Sequence, residues 1–266
     1  TVHSYIDHLY ALLEFAKREK ISNVFIHAFT DGKDSFPREA KTFIPKLKER
    51  MEKLNLGKIA TVMGRQFAMD RGNNWQLTET AYRALTAKTT EMNKDIVLFI
   101  QNQYDNGRND QSLPPAVLET AENTRIVDND AVIFFNFRED SVRQLTRAFV
   151  DENFQEFKRP KINNLFFATM TKYEENLPIH AMFEPPKIIN SLSEILSKNV
   201  KKQFKIAETE KYAHITYFFN GLEEKPVHNE KRLIIPSLPA TQYESQPEMK
   251  TQEITNELLS VLARDS

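Results

Sequence analysis

Four segments of this 266-residue chain set cations just behind stretches that read as β-strands. Thr30-Asp31-Gly32-Lys33-Asp34 follows the run at 24–29, and Gly64-Arg65, with Asp70-Arg71 beyond it, follows 58–63. Arg138 closes the run at 131–137, and Glu208-Thr209-Glu210-Lys211 follows 203–207. In a parallel α/β sheet, ligands bind outside the carboxyl ends of the strands. If these strands are neighbours, Lys33, Arg65, Arg71, Arg138 and Lys211 are brought toward one crevice. Guanidinium forks suit a small ligand with several anionic oxygens, because carboxylate and phosphate accept two parallel N–H bonds from each fork. Asp34 is the odd carboxylate in that positive field, placed for general acid/base work on a hydroxyl. His3 precedes the first helix, where free backbone N–H groups also favour an anion.

The remaining candidates point to packing. His8 and His214 fall within helical patterns and His27 within a strand, which reads as partial burial, while His180 and His228 read as loop residues. No pair has the spacing of a zinc or di-metal site. The chain has no cysteine, which excludes disulfides, thiolate metal sites and a Cys nucleophile. With 6 glycines there is neither a GxGxxG nor a Walker A loop, and no Gly-x-Ser-x-Gly elbow occurs. Trp75 reads as a packing anchor, and Lys198, Lys201, Lys202 and Lys205 as a solvated face. The charge balance, 36 Lys+Arg against 37 Asp+Glu, gives no field that would draw the chain to nucleic acid or membrane. No apolar run approaches the roughly 20 residues of a membrane span.

The elements that must carry these residues alternate. Apolar positions Ile6, Leu9, Tyr10, Leu13 and Ala16 predict a first helix, with Ser4 and Asp7 at capping-box spacing. Further helices are predicted over 37–54, where Pro45 should kink or split the element, and over 77–88, 139–150, 192–197 and 211–219, with a last amphipathic helix through Ile254, Leu258, Leu259 and Leu262. Strands are predicted at 24–29, 58–63, 131–137, 164–170, 203–207 and 232–236, while residues 90–130 are hard to read. The alternation implies an α/β fold, a mainly parallel sheet with helices on both faces. Phe183-Glu184-Pro185-Pro186 is the best linker, dividing residues 1–187 from 188–266. The opening residues carry no signal segment, and a start at Thr1 inside a helix signal points to a piece of a longer protein.

Several blocks occur in a familiar order: Val2-His3-Ser4, Asp31-Gly32-Lys33-Asp34, Gly64-Arg65-Gln66-Phe67-Ala68-Met69-Asp70-Arg71, Phe135-Asn136-Phe137-Arg138, Ala207 through His214, and Gln246-Pro247-Glu248-Met249. Together they resemble the cofactor-independent (2,3-bisphosphoglycerate-independent) phosphoglycerate mutase family over nearly the whole chain. The resemblance implies that 1–187 is the phosphotransferase domain and 188–266 part of an alkaline-phosphatase-like domain. It implies a cytoplasmic, monomeric glycolytic isomerase interconverting 3- and 2-phosphoglycerate through a phosphoserine intermediate, with two Mn2+ ions. Carried over by motif, His3, Lys33, Asp34, Arg65, Arg71, Arg138 and Lys211 become substrate-contacting positions, with Asp34 catalytic.

Three departures accompany it. Lys33 stands where the family's motif usually has Arg, exchanging a fork for a point charge. Ser141 stands where the family usually repeats an Arg; Arg143, two positions further on, points elsewhere on a helix. The serine nucleophile and the metal ligands are not among these residues, so no metal is expected on this chain and the chain alone is expected to be inactive. The alternative reading is a non-catalytic, anion-binding relative.

Overall fold

The computed structural model describes residues 1–87, 92–118, 124–184, 187–239 and 242–265. The chain divides into two compact units, Thr1–Pro185 and Pro186–Ser266. Of the linker candidate, Pro185 and Pro186 lie outside the described residues.

The first unit is α/β with predominantly parallel strands. Helix α1 (Ile6–Arg18) leads into β1 (Phe25–Thr30), α2 (Ala40–Leu54) and β2 (Lys58–Gly64). The short helix α3 (Arg65–Ala68) and α4 (Trp75–Thr86) follow, then β3 (Met92–Asn93), α5 (Ile96–Asp105) and β4 (Ala116–Leu118). Beyond them come β5 (Ala131–Phe134), α6 (Arg143–Val150), β6 (Phe166–Thr171) and β7 (His180–Phe183). One sheet has the order β1-β2-β4-β3 and a second the order β5-β6-β7. Among the described residues, the pairings within them are parallel except β2–β4. Residues 59–64 of β2 are all buried, as expected of a strand covered on both faces. Val62 enters a core made with α1, α2 and α5, and Met63 enters a second core made with α4, α6, Phe134 and Phe167.

Several expectations need correction. Tyr5, not Ser4, caps α1, and no side chain bonds the free N–H groups there. Pro45 does not split α2: Ile44, Leu47 and Met51, on both sides of it, pack into one core, which outweighs the single hydrogen bond a proline removes. Helix α6 starts at Arg143 rather than near 139, because Glu139, Asp140 and Ser141 form a buried turn ahead of it. His180 lies in β7, stacked on Phe166 with ring centroids 4.4 Å apart, and is not a loop residue. Residues 90–130 contain α5, capped by the Asp95 carboxylate, and a 3-10 turn at Asp110–Ser112.

In the second unit α7 (Leu192–Lys198) precedes β8 (Gln203–Glu208), which pairs in parallel with β9 (Glu230–Ile235). Between them α8 (Thr209–Ala213) runs into a π-helical turn, His214–Phe218, on which His214 is exposed rather than partly buried. Helix α9 (Thr251–Asp265) follows. Lys205 does not belong to a solvated face: it is buried, its Nζ 2.7 Å from Ser193 Oγ and 3.3 Å from the Glu230 carboxylate, because its position on β8 points inward.

Candidate functional site

The carboxyl ends of β1, β2 and β5 each lead into a loop whose backbone is fixed before its side chains do anything. After β1, Asp31 turns the chain: its Oδ1 accepts from the backbone N–H groups of Lys33 (3.1 Å) and Asp34 (3.0 Å), an Asx turn. After β2, Gly64 lies against the 110–112 turn so closely that a Cβ there would stand 2.2 Å from the Gln111 carbonyl oxygen. That contact delivers Arg65 at the start of α3. Arg71 sits on a loop held by Gln144 of α6, whose Nε2 donates to Asp70 Oδ2 (2.9 Å) and whose Oε1 accepts from Asn73 N (3.0 Å). After β5, the buried Tyr173 hydroxyl shares its proton between the carbonyls of Phe134 (2.7 Å) and Asn136 (2.6 Å), which fixes the approach to Arg138.

Two charge clusters result. In the first, Arg65, 7 % exposed, places Nη1 2.7 Å from Asp31 Oδ1 and 2.5 Å from Asp34 Oδ2. His3 Nε2 lies 2.9 Å from the same Asp34 oxygen. Burial, followed by the Arg65 charge, lowers the His3 pKa to about 4, so at neutral pH the ring is uncharged and Nε2–H donates to Asp34. Burial pushes the Asp34 carboxyl up, but the Arg65 hydrogen bond and charge outweigh it and hold the group below its ordinary range. A third of the Asp34 side chain stays open to solvent (32 %). His3 Nδ1 and Asp31 Oδ2 are buried and have no hydrogen-bond partner.

In the second cluster, Asp140 is buried and receives three residues. Arg71 Nη1 lies 2.5 Å from its Oδ2, Arg138 Nε 2.9 Å from its Oδ1, and the Ser141 hydroxyl donates to Oδ1 at 3.0 Å. Burial raises the Asp140 pKa, yet Arg138, Arg71 and Ser141 together bring it down to about 2. The clusters are tied through the backbone: Phe137 N, one residue before Arg138, donates to the His3 carbonyl at 2.8 Å.

His3, Asp34, Arg65, Arg71 and Arg138 therefore lie at one end of the first unit's strands, and Lys33 is an exposed residue of the same β1 loop. Lys211 belongs to the second unit, where its Nζ is 3.0 Å from the buried Glu208 carboxylate. Ser141 faces Asp140 and is almost fully buried, and Arg143 donates to the Tyr173 carbonyl at 2.8 Å. Asp31, Asp140 and Glu208, members of these clusters, are not singled out by the residue pattern alone. The signal for Asp140 was a carboxylate two residues beyond the strand-end Arg138.

His3, Asp31 and Asp34 bring one ligand atom each within 4.8 Å of one another, a geometry that could hold a cation. Arg65 already stands there, with Nη1 on both carboxylates, and a dication would meet that fixed positive charge. This donor set does not fit a manganese ion. What the arrangement offers is preorganised donors held on internal carboxylates, which a ligand oxyanion can recruit.

The family model described as the BPG-independent PGAM N-terminus matches residues 1–175. The 2,3-bisphosphoglycerate-independent phosphoglycerate mutase of Clostridioides difficile (strain 630) is 43 % identical over 99 % of this chain and 52 % of its own length. That of Methanococcoides burtonii is 46 % identical over 97 % of this chain and 51 % of its own length. The crystal structure of Leishmania mexicana phosphoglycerate mutase at low cobalt concentration superimposes with a TM-score of 0.91 at 29 % identity, covering 98 % of this chain and 50 % of that one. The chain thus spans about half the length of the relatives it matches. Its loops, its fold and its family-model match agree, and the chain belongs to the BPG-independent phosphoglycerate mutase family.

Proposed function

We propose that this chain is the substrate-holding part of a protein that moves a phosphoryl group between the 3- and 2-hydroxyls of glycerate. The observation that carries the reading is the pair of clusters at the ends of β1, β2 and β5, with Arg65, Arg71 and Arg138 each on a carboxylate beside the open Asp34. Phosphoglycerate presents a carboxylate and a phosphate, and each accepts paired N–H donors. Arg65, Arg71 and Arg138 bind these groups, with Lys33 and, from the second unit, Lys211 adding positive charge. Asp34 is ionised at neutral pH and accepts the proton of a glycerate hydroxyl as that oxygen attacks the phosphorus of the phosphoserine, whose P–O bond breaks and returns the serine oxygen as leaving group. In the free protein Arg65 makes Asp34 a weak base. A ligand oxyanion that draws Arg65 away weakens that hold, so the Asp34 pKa rises toward the range useful for proton transfer. His3 stays neutral, and its Nε2–H orients the carboxylate.

In this reading residues 1–187 form the phosphotransferase domain and 188–266 part of a phosphatase-like domain of a monomeric cytoplasmic isomerase. The serine nucleophile and the two Mn2+ ions belong to the remainder of the full-length protein.

The experiment is the conversion of 3-phosphoglycerate to 2-phosphoglycerate with manganese present. The full-length protein should turn over, its Asp34→Asn variant should lose at least about 100-fold in kcat, and the 266-residue chain should not turn over. Turnover by the chain alone, or an unaffected Asp34→Asn enzyme, would contradict the reading.

A further inference from the structure

The loop between β1 and α2, residues 31–39, carries Lys33 and Asp34. Both its ends are held by one buried acid from a distant part of the chain. At the near end the Thr30 hydroxyl donates to the Asp110 carbonyl at 2.6 Å. At the far end Asp110 N donates to the Pro37 carbonyl at 2.8 Å. There the Asp110 carboxylate also accepts, through Oδ2, from Glu39 N (2.8 Å) and Ala40 N (2.9 Å). Between the two ends Gly32, at φ 68°, lies so close that a Cβ would stand 2.9 Å from the Asp110 Cβ.

Asp110 is 2 % exposed. Glu39, at the start of α2, offers no side-chain cap, so the first N–H groups of that helix depend on a carboxylate 70 positions away. The positive end of α2 in turn meets the Asp110 charge. The Tyr104 hydroxyl, from the last turn of α5, donates to the other oxygen, Oδ1. Both carboxylate oxygens are engaged inside the fold, so any effect of Asp110 on the site passes through the loop. The same turn fixes the partner of Asp34. Gly64 N donates to the Leu113 carbonyl at 2.8 Å, and Gly64 abuts Gln111 one residue ahead of Arg65. Asp34 and Arg65, in contact at 2.5 Å, are therefore registered against a common support at 110–113.

We propose that Asp110 is a positioning residue for phosphoryl transfer: by anchoring 37–40 it holds the Asp34 carboxylate against Arg65 and toward the attacking hydroxyl. The inference rests on the role proposed above for Asp34 and adds a residue outside the charge clusters. Without the Asp110 carboxylate the backbone bonds of the 110–112 turn remain, so Arg65 stays in place while the far end of the loop loosens. The signature is a fall in kcat with little change in KM. A displacement of about 1 Å can cost about 100-fold in rate, while Arg65, Arg71 and Arg138 still hold the ligand.

The test is turnover of 3-phosphoglycerate by the full-length protein with manganese present, each variant first checked for folding by circular dichroism. Asp110→Ala should lose at least about 10-fold in kcat, with KM within about 3-fold of wild type. Asp110→Asn keeps an acceptor for α2 and an amide donor for the Tyr104 oxygen, and should restore kcat to within about 3-fold. Added to Asp34→Asn, Asp110→Ala should cost less than about 3-fold more, because the two act through one group. A merely structural loss of active enzyme would multiply instead. The proposal is overturned if folded Asp110→Ala keeps its kcat, if Asp110→Asn is as impaired as Asp110→Ala, or if the double variant shows the product of the single losses. Should Asp34→Asn itself turn over like wild type, the role of Asp34 falls and this inference with it. A slow Asp34→Asn beside a fully active Asp110→Ala overturns this inference alone. If Asp110→Ala does not fold, Tyr104→Phe, which removes one hydroxyl from the Asp110 carboxylate, should lose at least about 3-fold in kcat, and its full activity overturns the proposal.

Discussion

Replacing Asp140 by Asn removes one charge from a buried site and leaves two arginines facing each other. Its carboxyl is held at about 2 against an ordinary 3.8. At about 1.4 kcal/mol per pKa unit, the native site favours the ionised form by roughly 2 kcal/mol. An Asn resembles the protonated acid, so Asp140→Asn should destabilise the first unit by about 2 kcal/mol. Because the native pKa is depressed, this stabilisation is complete above about pH 4 and is lost as pH falls toward 2. The difference between wild type and variant should therefore shrink along the same path. Trp75 is the chain's only tryptophan, and it packs against Phe154 in the first unit with centroids 5.5 Å apart. Urea unfolding followed by its fluorescence thus reports on this unit. A variant within about 0.5 kcal/mol of wild type at pH 7, with an unchanged pH profile, would refute the assignment of Asp140 as the anchor of Arg71 and Arg138.

Gly64→Ala should cost roughly 1–3 kcal/mol by the same assay, since the new methyl meets backbone at Gln111 rather than a side chain that could move; an unchanged midpoint would contradict the close packing that delivers Arg65. Ser141→Arg should lower the unfolding midpoint instead of tightening 3-phosphoglycerate binding, because position 141 is closed over Asp140, whereas Lys33→Arg on the exposed β1 loop should leave the midpoint unchanged and restore a guanidinium fork. Titration calorimetry beside urea unfolding separates those outcomes, and tighter binding by Ser141→Arg would show that the position faces the ligand. The lowered His3 pKa has its own pH signature: the unfolded chain binds the proton more readily, so stability present above pH 6.5 falls as pH drops toward 4. His27 carries a shift of the same sign, so only part of that slope should disappear in His3→Asn, and a slope that does not change would place the His3 ring in water.

Much of this was legible in the residue pattern, for physical reasons that differ by element. The strand at 58–63 was readable because burial on both faces demands a nearly unbroken apolar run. The strand-end cations were readable because parallel topology puts every carboxyl end on one edge of a sheet. What was hidden depends on distant partners. Pro45 reads locally as a helix breaker, and only the core contacts of Ile44, Leu47 and Met51 keep α2 whole. Lys205 reads as solvated until Glu230, 25 positions away, is placed beside it. Asp140 looks like an ordinary loop acid, because Arg71 reaches it from a different strand end, across 69 positions. The pattern over 139–150 reads as helix from its start, yet α6 begins at Arg143, because a buried polar turn and a helix start share the same composition.

In the proposed function the cations at three strand ends serve one anionic ligand. This is tested by the affinity of the full-length protein for 3-phosphoglycerate, measured by calorimetry for wild type, Arg65→Lys, Arg138→Lys and the double variant, each first checked for folding by circular dichroism. Each Lys keeps the charge and removes the fork, so each single variant should weaken binding about 10-fold or more, in line with the roughly 1.5–3 kcal/mol of a well-formed charged hydrogen bond. Binding should weaken at both positions, and the double variant should bind more weakly than either single one. Full affinity in either folded single variant would contradict it.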